Sequence, residues 1–597
     1  MSRSRSLAIV LVGVCAFACT APDASDPVDL MDVTYVVFAP VDEQALPPLI
    51  RIGGDTRRAL AASNPAEFRY RIQIPDRALL TFAVAIITTP GADVDAPLPG
   101  DRMRFSLRAG ETAANELLFE REIHVDRRGE WIEQEADLRA FAGQEIWLVF
   151  EASFPGAPDG EALPVVGIFG EPVLHDRARY RQGRGVVVVS IDTLRRDHMS
   201  LYGYPRRTTP GLEALSSEAV VFDDAVSTSS WTLPAHASLL TSAYPSVHGA
   251  VNLNVGLSPA WPNIATLLQE AEFTTDALVT HVYLSEDYGF GEGFDRNVYL
   301  PETRAEELTN RAIRFLTSKG DRDFFLFVHY YDPHWHYDPP EPYDKTFDAS
   351  YEGDASGIWW DFKELDRDSI DPRDLRHIEA LYDGEILYTD HHVERLIRTM
   401  KELDIFDKTL LVVTSDHGEE FLEHGNWEHQ KTLYDEQLRV PLIVKYPGGE
   451  GGGRRVASQV SLLDVAPTIA DVMELPVPGS FRGVSLSGEM TGDRELWSET
   501  EHTIDGTHKL SLRRGASSGK AIFSVRDDEV DVELFDLRQD PGELEALSDG
   551  EMTERVEQRL RDYLAAAALA REGKGETPNV ELDPEERERL RSLGYIQ

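Results

Sequence analysis

VVVVSIDTLRRDHMSLYGY, Val186 to Tyr204, is the stretch that decides the fold. Four consecutive valines without polar alternation read as a strand buried on both faces, the usual look of a central parallel strand. The strand runs into Asp192, and open α/β sheets collect ligand- and metal-binding groups at the carboxyl ends of such strands. KTLLVVTSDHGEE, residues 408–420, repeats the design and ends in Asp416 and His417. Between the two lies SSWTLPAHASLLTSAYPSVHG, residues 229–249, which sets Thr232 just before a proline-started helix. Two carboxylates, an imidazole and a hydroxyl at sheet edges point to a metal-activated nucleophile, the chemistry of ester cleavage.

Outward from these motifs, further apolar runs (TDALVTHVY, DFFLFVHYYD, VPLIVKYP) alternate with helical patterns such as EELTNRAIRFLTS and LYDGEILYTDHHVERLIRTMKEL. This predicts an α/β domain over residues 185–490, a mostly parallel layered sheet with helices on both faces. Upstream, residues 31–180 hold short β-like runs spaced near ten residues apart, among them YVVFAP, RYRIQIP, LLTFAVAIITT and EIWLVFEASF. That spacing predicts a β-sandwich. Residues 491–597 offer strand pieces (HKLSLRRG, KAIFSVRD, ELFDLRQD) and one helix, TERVEQRLRDYLAAAALAREG, predicting a small α+β subdomain.

With 59 Lys and Arg against 104 Asp and Glu in 597 residues, the net charge is −45. Nucleic acid is excluded as a partner, because phosphate backbones require basic patches. The first residues, MSRSRSLAIVLVGVCAFACTAPD, read as a signal peptide. Arg3 and Arg5 form its basic start, and Leu7 to Phe17 an apolar stretch too short for an ordinary membrane span. Ala16-Phe17-Ala18-Cys19 resembles a bacterial lipobox, with Ala16 where leucine is usual. The expectation is a signal over 1–18, a lipidated Cys19, a tether over 19–30, and a protein exported to the bacterial cell envelope on a membrane anchor. Both cysteines, Cys15 and Cys19, fall in this leader, so the body has none for disulfides, zinc or catalysis.

Several motifs then stand in a recognisable order: SIDTLRRDHMSLYGY, TLPAHASLLTSAYPSVHG, GFGEGFD, YYDPHWHYDPP, SDHGEEFLEHG, TLYDEQLRVPLIVKYPG, SLLDVAPTIADV and ELFDLRQDPGE. Over roughly residues 185–597 the chain resembles the sulfatase family of the alkaline phosphatase superfamily. The resemblance implies an alkaline-phosphatase-like α/β catalytic domain. More weakly, WIEQEADLRAFAGQEIWLVFEASF with VVGIFGEPVL resembles galactose-binding-like jelly rolls.

Read chemically, Asp192, Asp416 and His417 suit a divalent metal such as calcium, manganese or zinc, with Thr232 beside it. Many sulfatases carry a second aspartate after the first, where this chain has Thr193. Thr232 takes the place of the cysteine or serine converted to formylglycine, in Thr232-Leu233-Pro234-Ala235-His236, where the family has Cys/Ser-x-Pro-x-Arg. No formylglycine is expected. The threonine resembles the nucleophile of nucleotide pyrophosphatase/phosphodiesterases and lipoteichoic acid synthase of the same superfamily. His334 matches the substrate-contacting histidine of the DPHxPY motif. His429 and its competitor Lys431 stand near a family lysine, as leaving-group acid or substrate contact. His236, in the place of the family arginine, is a substrate-binding candidate. His248, His281 and His424 are weaker candidates, and Asp332 with His336 has the spacing of a second zinc site.

The resulting expectation is a secreted, metal-dependent hydrolase cleaving a phosphate, phosphonate or sulfate ester through Thr232. The anionic substrate could be carried on a glycan or lipid. Two alternatives remain open at this level: a transferase moving a phospho-alcohol group onto a glycan or lipid, and a catalytically inactive carbohydrate-binding lipoprotein.

Overall fold

The short upstream runs alternate apolar and polar side chains, and they pair as antiparallel strands. The structure, a computed structural model, describes most of residues 49–580 together with residues 28–29, 36–37 and 587. The leader and Cys19 lie outside the described residues. Contacts divide the chain into two compact units, one reaching residue 182 and including 313–321, the other holding 183–312 and 322–597.

In the first unit, one sheet holds β1 (Val28–Asp29), β3 (Leu49–Ile52), β4 (Asp55–Ala61), β6 (Ala78–Thr88), β9 (Ile132–Asp137) and β11 (Val165–Asp176). Its order is β3-β4-β11-β6-β9, with β1 also on β11, inside the segment expected as tether. The other sheet holds β2 (Val36–Val37), β5 (Ala66–Gln73), β7 (Arg102–Gly110), β8 (Glu116–His124) and β10 (Glu145–Ser153), in the order β2-β5-β10-β7-β8. Aromatic rings from both sheets meet edge-on between them. Phe82 lies 5.5 Å from Phe150, and Phe169 lies 5.2 Å from Phe150 and 5.5 Å from Phe105. This is the interleaved core of a sandwich.

The second unit is built on β12 (Gly185–Ile191), β13 (Val220–Val226), β14 (Thr274–Val279), β15 (Arg296–Tyr299), β16 (Phe324–Tyr330), β17 (Thr409–Thr414), β20 (Arg439–Lys445) and β21 (Arg455–Ser461). Their order is β15-β14-β16-β12-β17-β20-β13-β21, and β20 alone runs antiparallel to its neighbours. The four valines occupy the central strand β12, as the unbroken apolar run requires. Side chains alternate between faces, so Val186 and Val188 share one face with Phe325, Phe327, Leu410 and Val412, all in one apolar core. At the next position on that face the register row turns polar: Ser190 pairs with His329 on one side and Thr414 on the other. One step further along their strands come Asp192 and Asp416.

A small hairpin, β18 (Glu420–Phe421) with β19 (Trp427–Glu428), follows the Asp416 motif. At the C-terminus β22 (Glu495–His502), β23 (Thr507–Arg514), β24 (Gly519–Arg526) and β25 (Glu529–Asp536) form an antiparallel sheet in sequence order. The helix Gly550–Arg571 packs on it, with Tyr563 stacked on Trp497 at 4.3 Å.

Candidate active site

Thr232 opens the helix Thr232–Thr241, every residue of which is buried. The N-cap position belongs to Trp231, and no side chain caps the helix. The threonine hydroxyl thus does not serve as a plain cap; its Oγ1 lies 3.4 Å from His417 Nε2. The segment before it is held by the C-terminal sheet. Glu499 N donates to Thr228 O at 2.8 Å, Ser498 Oγ to Ser227 O at 2.6 Å, and Ser229 Oγ to Glu499 O at 2.6 Å.

Asp192 and Asp416 leave adjacent strands, β12 and β17, at the same edge. Thr193 follows Asp192 with φ of +53°, a conformation strained for a β-branched residue. Tyr382 fixes that turn, donating to Thr193 O at 2.8 Å and accepting from Arg195 N at 2.9 Å. His417 Nε2 lies 3.3 Å from Asp416 Oδ2 and 3.6 Å from Asp192 Oδ1. Its Nδ1 donates to Gly418 O at 2.9 Å, so Nε2 carries the lone pair facing both carboxylates.

Three acceptors thus converge in a fully buried spot. Asp192 Oδ1 and Oδ2 and Asp416 Oδ2 have no hydrogen-bond partner. Burial, then the charges of Asp416 and Glu419, push the Asp192 carboxyl well above the ordinary carboxylate range. Burial also drives His417 well below the usual imidazole range, into its neutral, ligating form. Buried carboxylate oxygens without hydrogen-bond partners are satisfied by a proton or by a bound cation. The residues therefore fit a divalent metal held by Asp192, Asp416 and His417, whose ligand atoms lie within 4.8 Å of one another.

The imidazoles of His429 and His334 line up beside this group. The His429 ring centre lies 4.4 Å from that of His417 and 5.1 Å from that of His334. His429 Nδ1 donates to Glu419 Oε1 at 3.0 Å, and Glu419 Oε2 accepts from Tyr337 OH at 3.1 Å. Burial alone would lower His429, but the Glu419 charge and hydrogen bond outweigh it and raise it. By contrast, burial holds His334 well below the ordinary range. Glu419 and Tyr337 were not singled out from the sequence; the acidic pair in SDHGEE was the available signal.

The remaining candidates are placed as follows. His236 is fully buried; its Nδ1 donates to Thr232 O at 2.8 Å and its Nε2 accepts from Ser190 Oγ at 2.9 Å. It braces the helix that Thr232 opens, beneath the site. Lys431 turns to Glu428, 2.9 Å away, and donates to Trp427 O. His424 bonds Glu436 and stacks on Tyr434, while His248 bonds Ser238. His281 stacks on Tyr283 at 4.6 Å, with its ring centre 6.1 Å from that of His334. The spacing of Asp332 and His336 does not become a second metal position. Asp332 accepts from Ala305 N and His336 Nδ1 from Trp359 N, and neither belongs to a metal-capable cluster among the described residues.

With this geometry established, comparison with known proteins bears on the same elements. The sulfatase family model matches residues 184–475, and the model for the C-terminal region of N-sulphoglucosamine sulphohydrolase matches residues 422–569. An arylsulfatase of Clostridium perfringens is 24% identical over 454 residues, covering 64% of this chain and 92% of the relative. A solved structure in complex with its substrate D-glucosamine-2-N,6-O-disulfate has TM-score 0.56 at 18% identity, covering 65% of this chain and 98% of the other. The phosphonate monoester hydrolase of Agrobacterium radiobacter has TM-score 0.53 at 20% identity, covering 65% and 96%. These two structural likenesses bear on the fold. Motif order, sheet topology and the family model agree: residues 184–475 of the chain belong to the sulfatase family.

Proposed function

We propose that the chain is a metal-dependent hydrolase of anionic esters that uses unmodified Thr232 as nucleophile in place of formylglycine. The observation that carries this reading is Thr232 Oγ1 at 3.4 Å from His417 Nε2, beside three carboxylate oxygens, Asp192 Oδ1 and Oδ2 and Asp416 Oδ2, that have no hydrogen-bond partner. When bound by Asp192, Asp416 and His417, a divalent ion favours the ionised hydroxyl and screens the charge of the ester. Thr232 Oγ then forms a bond to phosphorus or sulfur as the bond to the leaving oxygen breaks. His429 Nε2 gives that oxygen its proton, since Nδ1 is committed to Glu419. Water subsequently cleaves the Thr232 ester, with His429 taking its proton. His334 faces the same space and holds the substrate.

A phosphate or phosphonate ester suits this set best, because threonine supplies an alkoxide and not an aldehyde hydrate. Sulfate esters, including sulfated amino sugars like the one bound in the similar structure, belong in the same assay. An inactive, binding-only role fits poorly, because unpartnered buried carboxylates are costly without a cation. The test is turnover of nitrophenyl phosphate, phosphonate, phosphodiester and sulfate by the parent and by Thr232→Ala, with acid quench to trap Thr232 carrying the transferred group. Parent-like activity in Thr232→Ala would assign the attack to water instead.

The exported, lipid-anchored location belongs to the same proposal and rests on Arg3, Arg5, the short apolar stretch and Cys19. Cys19→Ala should release the protein from bacterial membrane fractions; unchanged membrane association would sink the anchor. The sandwich over residues 31–180 is offered as a glycan-binding module, and its removal should weaken retention on polymeric substrate while leaving nitrophenyl ester turnover intact.

A further inference from the structure

Asp192 faces a second unpartnered acceptor. His329, fully buried near the end of β16, places Nε2 at 3.5 Å from Asp192 Oδ2, and neither atom has a hydrogen-bond partner. We propose that His329 is an additional protein ligand of the metal centre. With two imidazoles and two carboxylates, the site selects a transition-metal ion such as zinc or manganese over calcium. The inference rests on the metal-dependent reading above and refines it.

A proton count carries the argument. Thr280 Oγ1 lies 2.9 Å from His329 O and 2.9 Å from His329 Nδ1. A carbonyl can only accept, so the single hydroxyl proton of Thr280 goes to His329 O. The hydroxyl oxygen is then the acceptor for Nδ1, which must carry the ring proton. That leaves Nε2 as a bare lone pair aimed at a carboxylate oxygen. Two buried acceptors facing each other repel unless a proton or a metal ion lies between them, and the metal site is at hand. The same logic operates at His417, whose Nδ1 is committed to Gly418 O. A histidine held at one nitrogen by a backbone or hydroxyl group and bare at the other has the arrangement of a metal ligand.

The separations agree. Donor atoms about 2.1 Å from a tetrahedral ion lie about 3.4 Å from one another. His329 Nε2 lies at that separation from Asp192 Oδ2, 3.5 Å, and the ligand atom of His329 lies within 4.8 Å of those of Asp416 and His236. His236, whose ring centre is 4.9 Å from that of His329, does not qualify, because Ser190 and Thr232 occupy both its nitrogens.

The test uses the full chain loaded with zinc alone. X-ray absorption at the zinc edge counts coordinated imidazoles: two are expected in the parent protein and one in His329→Gln. Chelator competition should show zinc affinity falling at least about 100-fold in His329→Gln, beyond the usual ceiling for an outer-shell partner. One imidazole in the parent, or unchanged affinity in the variant, overturns the assignment while leaving the metal reading intact. Failure of the parent to bind zinc or any other divalent ion overturns the metal reading itself. Excess calcium that displaces zinc from the parent overturns the selectivity. Because the parent spectrum decides by itself, a variant that fails to fold does not rescue the proposal.

Discussion

Gly418 follows His417, and its smallness sets the position of the imidazole that faces Asp192 and Asp416. Its N–H donates to Gln437 O at 2.8 Å, and its carbonyl accepts from His417 Nδ1. A Cβ built on Gly418 would stand 1.9 Å from Glu436 O and 3.2 Å from Arg195 Cγ. Comfortable carbon–oxygen approaches are about 3.3 Å, so Gly418→Ala must open the backbone by about 1.4 Å. The obstacle is a carbonyl, not the end of a flexible side chain, so the shift falls on the 416–418 turn. A misplacement of about 1 Å at reacting groups costs about 100-fold in rate. We therefore expect Gly418→Ala to lose at least about 100-fold in kcat and to bind metal more weakly, with a cooperative melting transition retained. The control is Gly425→Ala. Gly425 has φ of +88° but open space around its Cβ position, so it should lose about 1 kcal/mol of stability and keep its kcat. The assay is nitrophenyl ester turnover with metal analysis and thermal melting on both variants. Gly418→Ala with kcat within about twofold of the parent would refute the claim that this close approach positions His417.

Thr232→Ala should lower kcat by at least about 10³-fold, whereas Thr232→Ser should retain part of the activity; parallel kinetics and intact mass of the parent check both. Glu419→Gln removes the charge behind His429. It should slow esters with poor alkyl leaving groups by about 100-fold and nitrophenyl esters far less, and equal losses for both would refute its role in leaving-group protonation. His508 is lowered by burial but raised more by Glu499, leaving it above its ordinary value. A histidine raised on folding contributes stability that is full below its unfolded pKa and lost as pH rises through the folded value. Melting temperature should therefore fall as pH climbs from the ordinary histidine range upward, and His508→Gln should flatten that slope.

The parts of the site legible in the sequence are those whose chemistry is local. Asp192 and Asp416 each end an apolar strand, and His417 and Thr232 sit within motifs read in a single pass. The sandwich was legible because alternation and turn spacing are also local. The antiparallel direction of β20 was not, since VPLIVKYP is equally apolar in either sense. Nor was the support that β22 gives to the segment before Thr232, because hydrogen bonds from Glu499 and Ser498 to Thr228 and Ser227 depend on how the C-terminal sheet docks. His329 is the sharpest case. Within FFLFVHYYD it looks like one polar residue in a buried strand. Its meaning appears only in register, where Ser190, His329 and Thr414 share one row directly beneath Asp192 and Asp416. Three apolar columns thus turn polar at the same level, and α/β sheets place binding groups at that carboxyl edge. A lone polar residue in a strand is ordinary; three in one register row, capped by two carboxylates with unpartnered oxygens, are the floor of the candidate site. That row is a property of strand pairing, so the floor is encoded by distant segments that carry its meaning only once paired.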